Sequence, residues 1–202
     1  DLLPKWAKFR SIEEGLARQR VGPDGMVEFR GLQLQVPSEQ LKPRVSSGAL
    51  VDAALKALGQ KKFDGPAVLD LGVGCGALLL AILHGCDASA SGTGVDIDKN
   101  AVHTCRSNAE RVLAPAQVPN VQVLCADFCK LDEAPTRMQL HSHGYDVIVC
   151  NPPYRSHAQQ DAYDTASGEF GGYSEDKKTL VAGETGLELY EGVARSLARD
   201  VA

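Results

Sequence analysis

From Pro66 to Cys150 the chain alternates short, nearly continuous apolar runs with glycine-rich breaks and longer stretches whose apolar residues recur at helical spacing. The runs Ala67 to Leu71, Gly94 to Ile97, Val121 to Cys125 and Tyr145 to Cys150 read as strands, with helices over Ala77 to Leu83 and Lys99 to Leu113. Strands apolar on both faces belong to a parallel sheet covered by helices, so the pattern predicts a doubly wound α/β fold. Upstream, Met26 to Val36 alternates apolar and polar residues around Gly31, after a turn at Val21 to Gly25, and predicts a β-hairpin or bent strand pair. Ser46 or Ser47 can cap a helix whose apolar face is Leu50, Val51, Ala54, Leu55 and Leu58, ended by Gly59. Residues 155–178 are polar and glycine-rich and predict a long loop of the lid or binding type. A further amphipathic helix is expected over Leu187 to Ala198, with Leu187, Tyr190, Val193, Ala194 and Leu197 on its apolar face. In residues 1–20, Trp6, Phe9, Ile12 and Leu16 stand at near-helical spacing.

Composition narrows the function. With 202 residues, 44% of them hydrophobic, the chain can bury one sizeable core. Its longest apolar run, Ala77 to Leu83, is far shorter than the ~20 residues of a membrane span, so no membrane association is expected. The balance of 21 Lys+Arg against 26 Asp+Glu gives a net charge of −5, which disfavours nucleic acid as a direct substrate. Six cysteines without a CxxC pair read as reduced, buried thiols of an intracellular protein. His141 and His143 read as solvated loop residues rather than a metal pair, and no metal is expected.

The first chemical signal is Asp70-Leu-Gly-Val-Gly-Cys-Gly-Ala77 at a strand-to-helix junction. Gly72, Gly74 and Gly76 let backbone pass close to a ligand, and helix N–H groups point into the crevice. Gly72, Gly74 and Ala77 also satisfy a dinucleotide fingerprint, with Asp96 twenty residues after Gly76. Asp70, however, suits a cationic ligand, and S-adenosylmethionine carries an ammonium and a sulfonium. Asp96 can accept from both ribose hydroxyls, Asp127 is placed for an adenine amino group, and Phe128 offers a ring to the base. Helix capping is the competing role for these acids, and falls best to Asp98 ahead of Lys99.

The most specific motif is Asn151-Pro152-Pro153-Tyr154 at the end of the fourth strand. An amide nitrogen is a poor nucleophile because its lone pair is delocalised. If the Asn151 side-chain oxygen and the Pro152 carbonyl accept its two hydrogens, the lone pair is aimed at a methyl donor. The prolines stiffen that geometry, and Tyr154 can pack on the planar amide.

Together, DLGxGxG, VDI, AD and NPPY resemble the class I S-adenosylmethionine-dependent methyltransferases that act on planar nitrogens. The hairpin Glu28 to Val36, Pro43-Arg44, and Ala182 to Tyr190 resemble more narrowly the HemK/PrmC family, protein-(glutamine-N5) methyltransferases of peptide-chain release factors. The resemblance implies a Rossmann-like sheet preceded by the hairpin. It implies cofactor binding by Asp70, Gly72, Gly74, Gly76, Asp96, Asp127, Phe128 and Asn151, and holding of the glutamine of a GGQ loop by Asn151, Pro152, Pro153 and Tyr154. Asn151, Pro152 and Tyr154 would be the catalytic set, and a release factor, in the cytoplasm or a mitochondrion, the protein substrate. The implied division is 1–20, remnant of a helical N-terminal region; 21–45, hairpin linker; and 46–202, a truncated methyltransferase domain. The sheet's C-terminal strands are expected to lie outside this chain or to come from a partner. One departure stands out: the family usually carries an acid after Pro-Arg, where this chain reads Val45-Ser-Ser-Gly48. The competing readings are an adenine amino-group methyltransferase for RNA or DNA, and an inactive cofactor-binding subunit.

Overall fold

The computed structural model describes residues 22, 25–60, 65–133, 136, 139–140, 144–167 and 180–198, with 163–167 as backbone. The expected N-terminal helical stretch, His141 and His143 lie outside the described residues.

The alternating segment forms a hairpin, β1 (Met26–Phe29) and β2 (Leu32–Gln35), paired antiparallel with Phe29 opposite Leu32. Positive φ at Arg30 (52°) and Gly31 (83°) is what a two-residue hairpin loop requires for its twist to match the strands. Val27, Phe29, Leu32 and Leu34 are buried, so one face of the hairpin enters the main core.

The central sheet holds β3 (Ala67–Leu71), β4 (Ser91–Asp96), β5 (Val121–Cys125) and β6 (Val147–Cys150), all parallel, in the order β5-β4-β3-β6. All five residues of β3 are buried, as expected for the central strand of a doubly covered sheet. On one face lie the hairpin and helices α1 (Gly48–Gly59), α2 (Ala77–His84) and α3 (Lys99–Val112), sharing one apolar cluster with Val68. Leu69 and Leu71 face the other side, where Val95, Leu124, Phe128 and Leu131 meet Leu189, Val193 and Leu197 of helix α5 (Glu188–Ala198). The order reverses between β3 and its neighbour β6, which opens a crevice outside their carboxyl ends.

Two expectations need correction. Residues 155–178 do not begin as a loop: β7 (Arg155–Ser156) leads into α4 (His157–Ser167), and β8 (Val181–Gly183) pairs parallel with β7. The start of α4 is a capping box, Ser156 Oγ accepting from Gln159 N (3.2 Å) while Gln159 Oε1 accepts from Ser156 N (2.9 Å). Residues 168–179 lie outside the description. The buried face of α5 also differs: Leu187 and Tyr190 are exposed, while Gly192 and Ser196 are buried. A Cβ at Gly192 would stand 2.4 Å from Cys129 Sγ, and Ser196 Oγ accepts from Leu131 N at 2.7 Å. Close packing on a small residue and one hydroxyl decided this face, which apolar periodicity does not register. Among the described residues, no helix is long and apolar enough to cross a membrane.

Candidate active site

The glycine loop hangs between strand end and helix start. Gly72, Gly74 and Gly76 all have positive φ (81°, 53° and 88°), and the N–H groups of Gly72 and Val73 are tied to the Val95 carbonyl at 2.8 and 3.1 Å. A side chain at Gly76 would collide with Cys105 Sγ, 2.8 Å from a Cβ there, whereas one at Gly74 would meet nothing within 4 Å. Gly76 therefore serves packing, and Gly74 keeps backbone bare toward open space.

Asp70 closes the floor of this loop. Helix α2 has no side-chain cap at Gly76, and Asp70 Oδ2 takes over by accepting from Leu79 N at 3.1 Å. Its Oδ1 is buried and accepts no hydrogen bond from the described residues. Burial pushes the carboxyl up to about 7, against the Leu79 N–H that favours the anion; the charge of Asp96 adds to the rise. An orphaned, buried carboxylate oxygen is costly unless a ligand pairs with it.

Asp96 accepts from Gly74 N (2.9 Å) and Asp98 N (3.0 Å), so it fixes the loop while each oxygen keeps acceptor capacity for a ribose hydroxyl. Burial raises its pKa, opposed by those amides. Asp98 caps α3 through Asn100 N, as expected. Asp127 also caps: its Oδ1 accepts from Cys129 N (2.9 Å) at the short 3-10 turn Phe128–Lys130, so one of its two oxygens is committed to the backbone. The Phe128 ring lies behind Gly72, 3.6 Å from a Cβ built there. Ile97, 69% exposed at the end of β4, is an apolar surface beside Asp96 that the sequence reading passed over.

Across the crevice stands Asn151-Pro152-Pro153-Tyr154. A cavity of about 230 Å³ is lined from one side by Asp70, Gly72 and Gly74 and from the other by these four residues, with Ser47 and Arg44 completing the wall. Gly76, Asp96, Asp127 and Phe128 do not line it; Asp96 holds the glycine loop through Gly74 N, and Phe128 packs beside Gly72. Ser47 does not cap α1 as expected. The chain enters α1 through a 3-10 turn (Val45–Ser47), Ser47 makes no capping bond, and its Oγ instead accepts from Asn151 Nδ2 at 3.2 Å. Pro152 is buried, while Tyr154 is 54% exposed at the rim. Its carbonyl is hemmed in by Gly186, where a Cβ would come within 2.6 Å. That turn is locked by Glu188, which accepts from Thr185 N, Thr185 Oγ1 and Gly186 N, bonds that hold its pKa down at about 2.

Asn108 is the other supporting residue that the sequence reading missed. Fully buried on the apolar face of α3, it accepts from Gln35 N and donates to the carbonyls of Gln35 and Cys75, all at 2.9 Å. It thereby joins the hairpin to the glycine loop. A lone Asn among Val102, Cys105 and Ala109 is the signal that could have found it. Burial pushes the thiol of Cys75 up to about 11 and that of Cys150 to about 12, so both stay protonated. Among the described residues, no group of His, Cys, Asp and Glu could hold a metal ion.

The donor set fits a ligand with a cationic centre at Asp70 and vicinal hydroxyls at Asp96. Comparisons with known proteins place the chain in a family. Residues 42–168 match the Methyltransferase small domain family. A release factor glutamine methyltransferase of Agrobacterium fabrum is 33% identical over 177 residues, covering 87% of this chain and 55% of that protein. One of Streptococcus pneumoniae is 32% identical over 170 residues, covering 84% and 53%. The chain thus spans about half the length of the relatives it matches. Among solved structures, the hMettl16 catalytic domain in complex with MAT2A 3′UTR hairpin 6 superposes with a TM-score of 0.58, over 98% of this chain and 74% of that one. At 15% identity that likeness concerns the fold alone.

Proposed function

The chain belongs to the Methyltransferase small domain family, and we propose that it transfers a methyl group from S-adenosylmethionine to the side-chain amide nitrogen of the glutamine in a release factor's GGQ loop. The observation that carries this reading is one cavity lined both by Asn151-Pro-Pro-Tyr154 and by Asp70, Gly72 and Gly74. A relative bearing the release factor glutamine methyltransferase name at 33% identity supports the choice of substrate.

In this reading Asp70 Oδ1 pairs with the cofactor's positive charge, Asp96 takes the ribose hydroxyls, and Phe128 and Ile97 supply apolar surface to the base. The cofactor, when bound, provides an electrophilic methyl group. The protein's part is to hold the acceptor. Asn151 Oδ1 and the Pro152 carbonyl accept the two amide hydrogens of the target glutamine, which turns its nitrogen lone pair toward the donor and favours pyramidalisation. Tyr154 packs on the amide plane at the rim. Positioning of this kind supplies rate without a strong base, in keeping with Asp70, an acid that lines the cavity, being engaged by Leu79 N at the start of α2.

The test is mass spectrometry of the GGQ peptide after incubation of release factor with this protein and S-adenosylmethionine. A gain of one methyl on the glutamine is expected. Methylation of RNA or DNA adenine with the release factor left untouched would overturn the substrate, and binding of cofactor without any transfer would overturn the activity.

A further inference from the structure

The contact between Ser47 and Asn151 spans 104 positions of sequence and joins two distant segments that line the cavity. Ser47 stands where a helix cap is normally found, yet makes no capping bond, and the 3-10 turn that it ends is closed by Ser47 N donating to the Arg44 carbonyl (2.9 Å). Its hydroxyl is therefore spare for the helix and is spent on Asn151. Asn151 is half-buried, and this is the side-chain hydrogen bond described for it. The stretch holding Ser47 is also the one in which this chain carries hydroxyls rather than an acid.

We propose that Ser47 is a positioning residue that fixes the amide plane of Asn151 so that its oxygen, not its NH2 group, meets the acceptor nitrogen. This rests on the proposed amide methylation. With Nδ2 held by Ser47, Oδ1 is the end left for the target. A hydroxyl can also donate, so Ser47 alone sets the plane; the face follows because NH2 against the substrate's own NH2 would oppose donors to donors. Being neutral, the Ser47 hydroxyl performs this without placing a second carboxylate near Asp70. Freed from it, the Asn151 amide rotates among orientations of which only some hold the target correctly, so the loss falls on turnover.

The experiment compares wild type, Ser47→Ala and Ser47→Thr for single-turnover methylation of a GGQ-containing release factor, cofactor affinity by calorimetry, and thermal midpoint. Ser47→Ala is expected to lower the transfer rate about fivefold to tenfold, the scale of one hydrogen bond, with cofactor Kd within twofold and the midpoint unchanged. Ser47→Thr, which keeps the hydroxyl, is expected to restore most of the rate. A transfer rate unchanged in Ser47→Ala overturns the proposal. So does a loss accompanied by an equal fall in cofactor affinity or by a lowered midpoint, which would make Ser47 structural. If wild type itself leaves the glutamine unmodified, the methylation reading fails instead, and the two failures are thereby told apart.

Discussion

The two walls of the cavity are built on different principles. The glycine-loop wall is part of the core: Asp70 is 1% exposed, Asp96 holds the loop by two amides, and Asn108 ties its Cys75 carbonyl to the hairpin. The Asn151 wall is a surface: Tyr154 is largely open, and Asn151 hangs on Ser47. In the proposed reading the cofactor is held by side chains built into the core and its glycine loop, while the acceptor is met by a few side chains anchored lightly at a strand end. The first wall couples binding to stability; the second separates turnover from both.

The largest effect, and the sharpest test of this contrast, is expected from Asn151→Ala. Removing the acceptor for the target's N–H should cut methyl transfer by at least ~100-fold, with cofactor affinity and thermal midpoint nearly unchanged, as read by labelled-cofactor assay and calorimetry. A mutant that still turns over at a near-normal rate would sink the amide-positioning mechanism.

Next is Asp96→Ala on the opposite wall. Losing the carboxylate proposed to bind ribose should weaken cofactor binding by roughly 10- to 100-fold. The fold is affected as well, because the Gly74 and Asp98 amides lose their acceptor; a destabilisation of ~1–2 kcal/mol by denaturant titration is expected. Loss of binding with no loss of stability would break the proposed coupling.

Asp70 gives the contrast a pH dependence. Burial holds its folded pKa at about 7, above the ordinary 3.8, so the folded state keeps a proton that the unfolded chain gives up. Stability from this group is full below pH ~4 and declines as pH rises toward 7. Asp70→Asn should remove that decline, stabilising the protein at pH 8 by on the order of 4 kcal/mol relative to wild type, while weakening binding of the cationic cofactor. A stability difference between the two proteins that is the same at pH 8 and pH 4 in melting experiments would show that the buried charge is compensated.

The smallest effect is expected at Glu188. Its pKa is depressed to about 2 by the Thr185 and Gly186 bonds, so its contribution is present above pH ~4.5 and lost as pH falls toward 2. Glu188→Gln should loosen the turn behind Tyr154, seen as lower hydrogen-exchange protection at Gly186 at neutral pH, with global stability scarcely altered. Unchanged protection would mean that the turn is held by β7–β8 pairing rather than by the carboxylate.

Much of this protein was legible in its residues. Apolar runs marked where the four central strands lie along the chain and the helices that follow the first two, because burial on both faces leaves continuous apolar stretches. The Asp70 to Ala77 loop and Asn151 to Tyr154 could be read because glycine and proline constrain backbone wherever they stand. Tertiary structure alone decided what touches across long separations. Ser47 left its expected cap for Asn151, Asp127 turned to a local amide, and Asp70 became a cap from below, since a polar side chain takes the partner that folding brings nearest. The face of α5 was likewise settled by how closely Gly192 could approach Cys129. Hydrophobicity along a chain says which residues leave water; it does not say which small or polar atom they will meet.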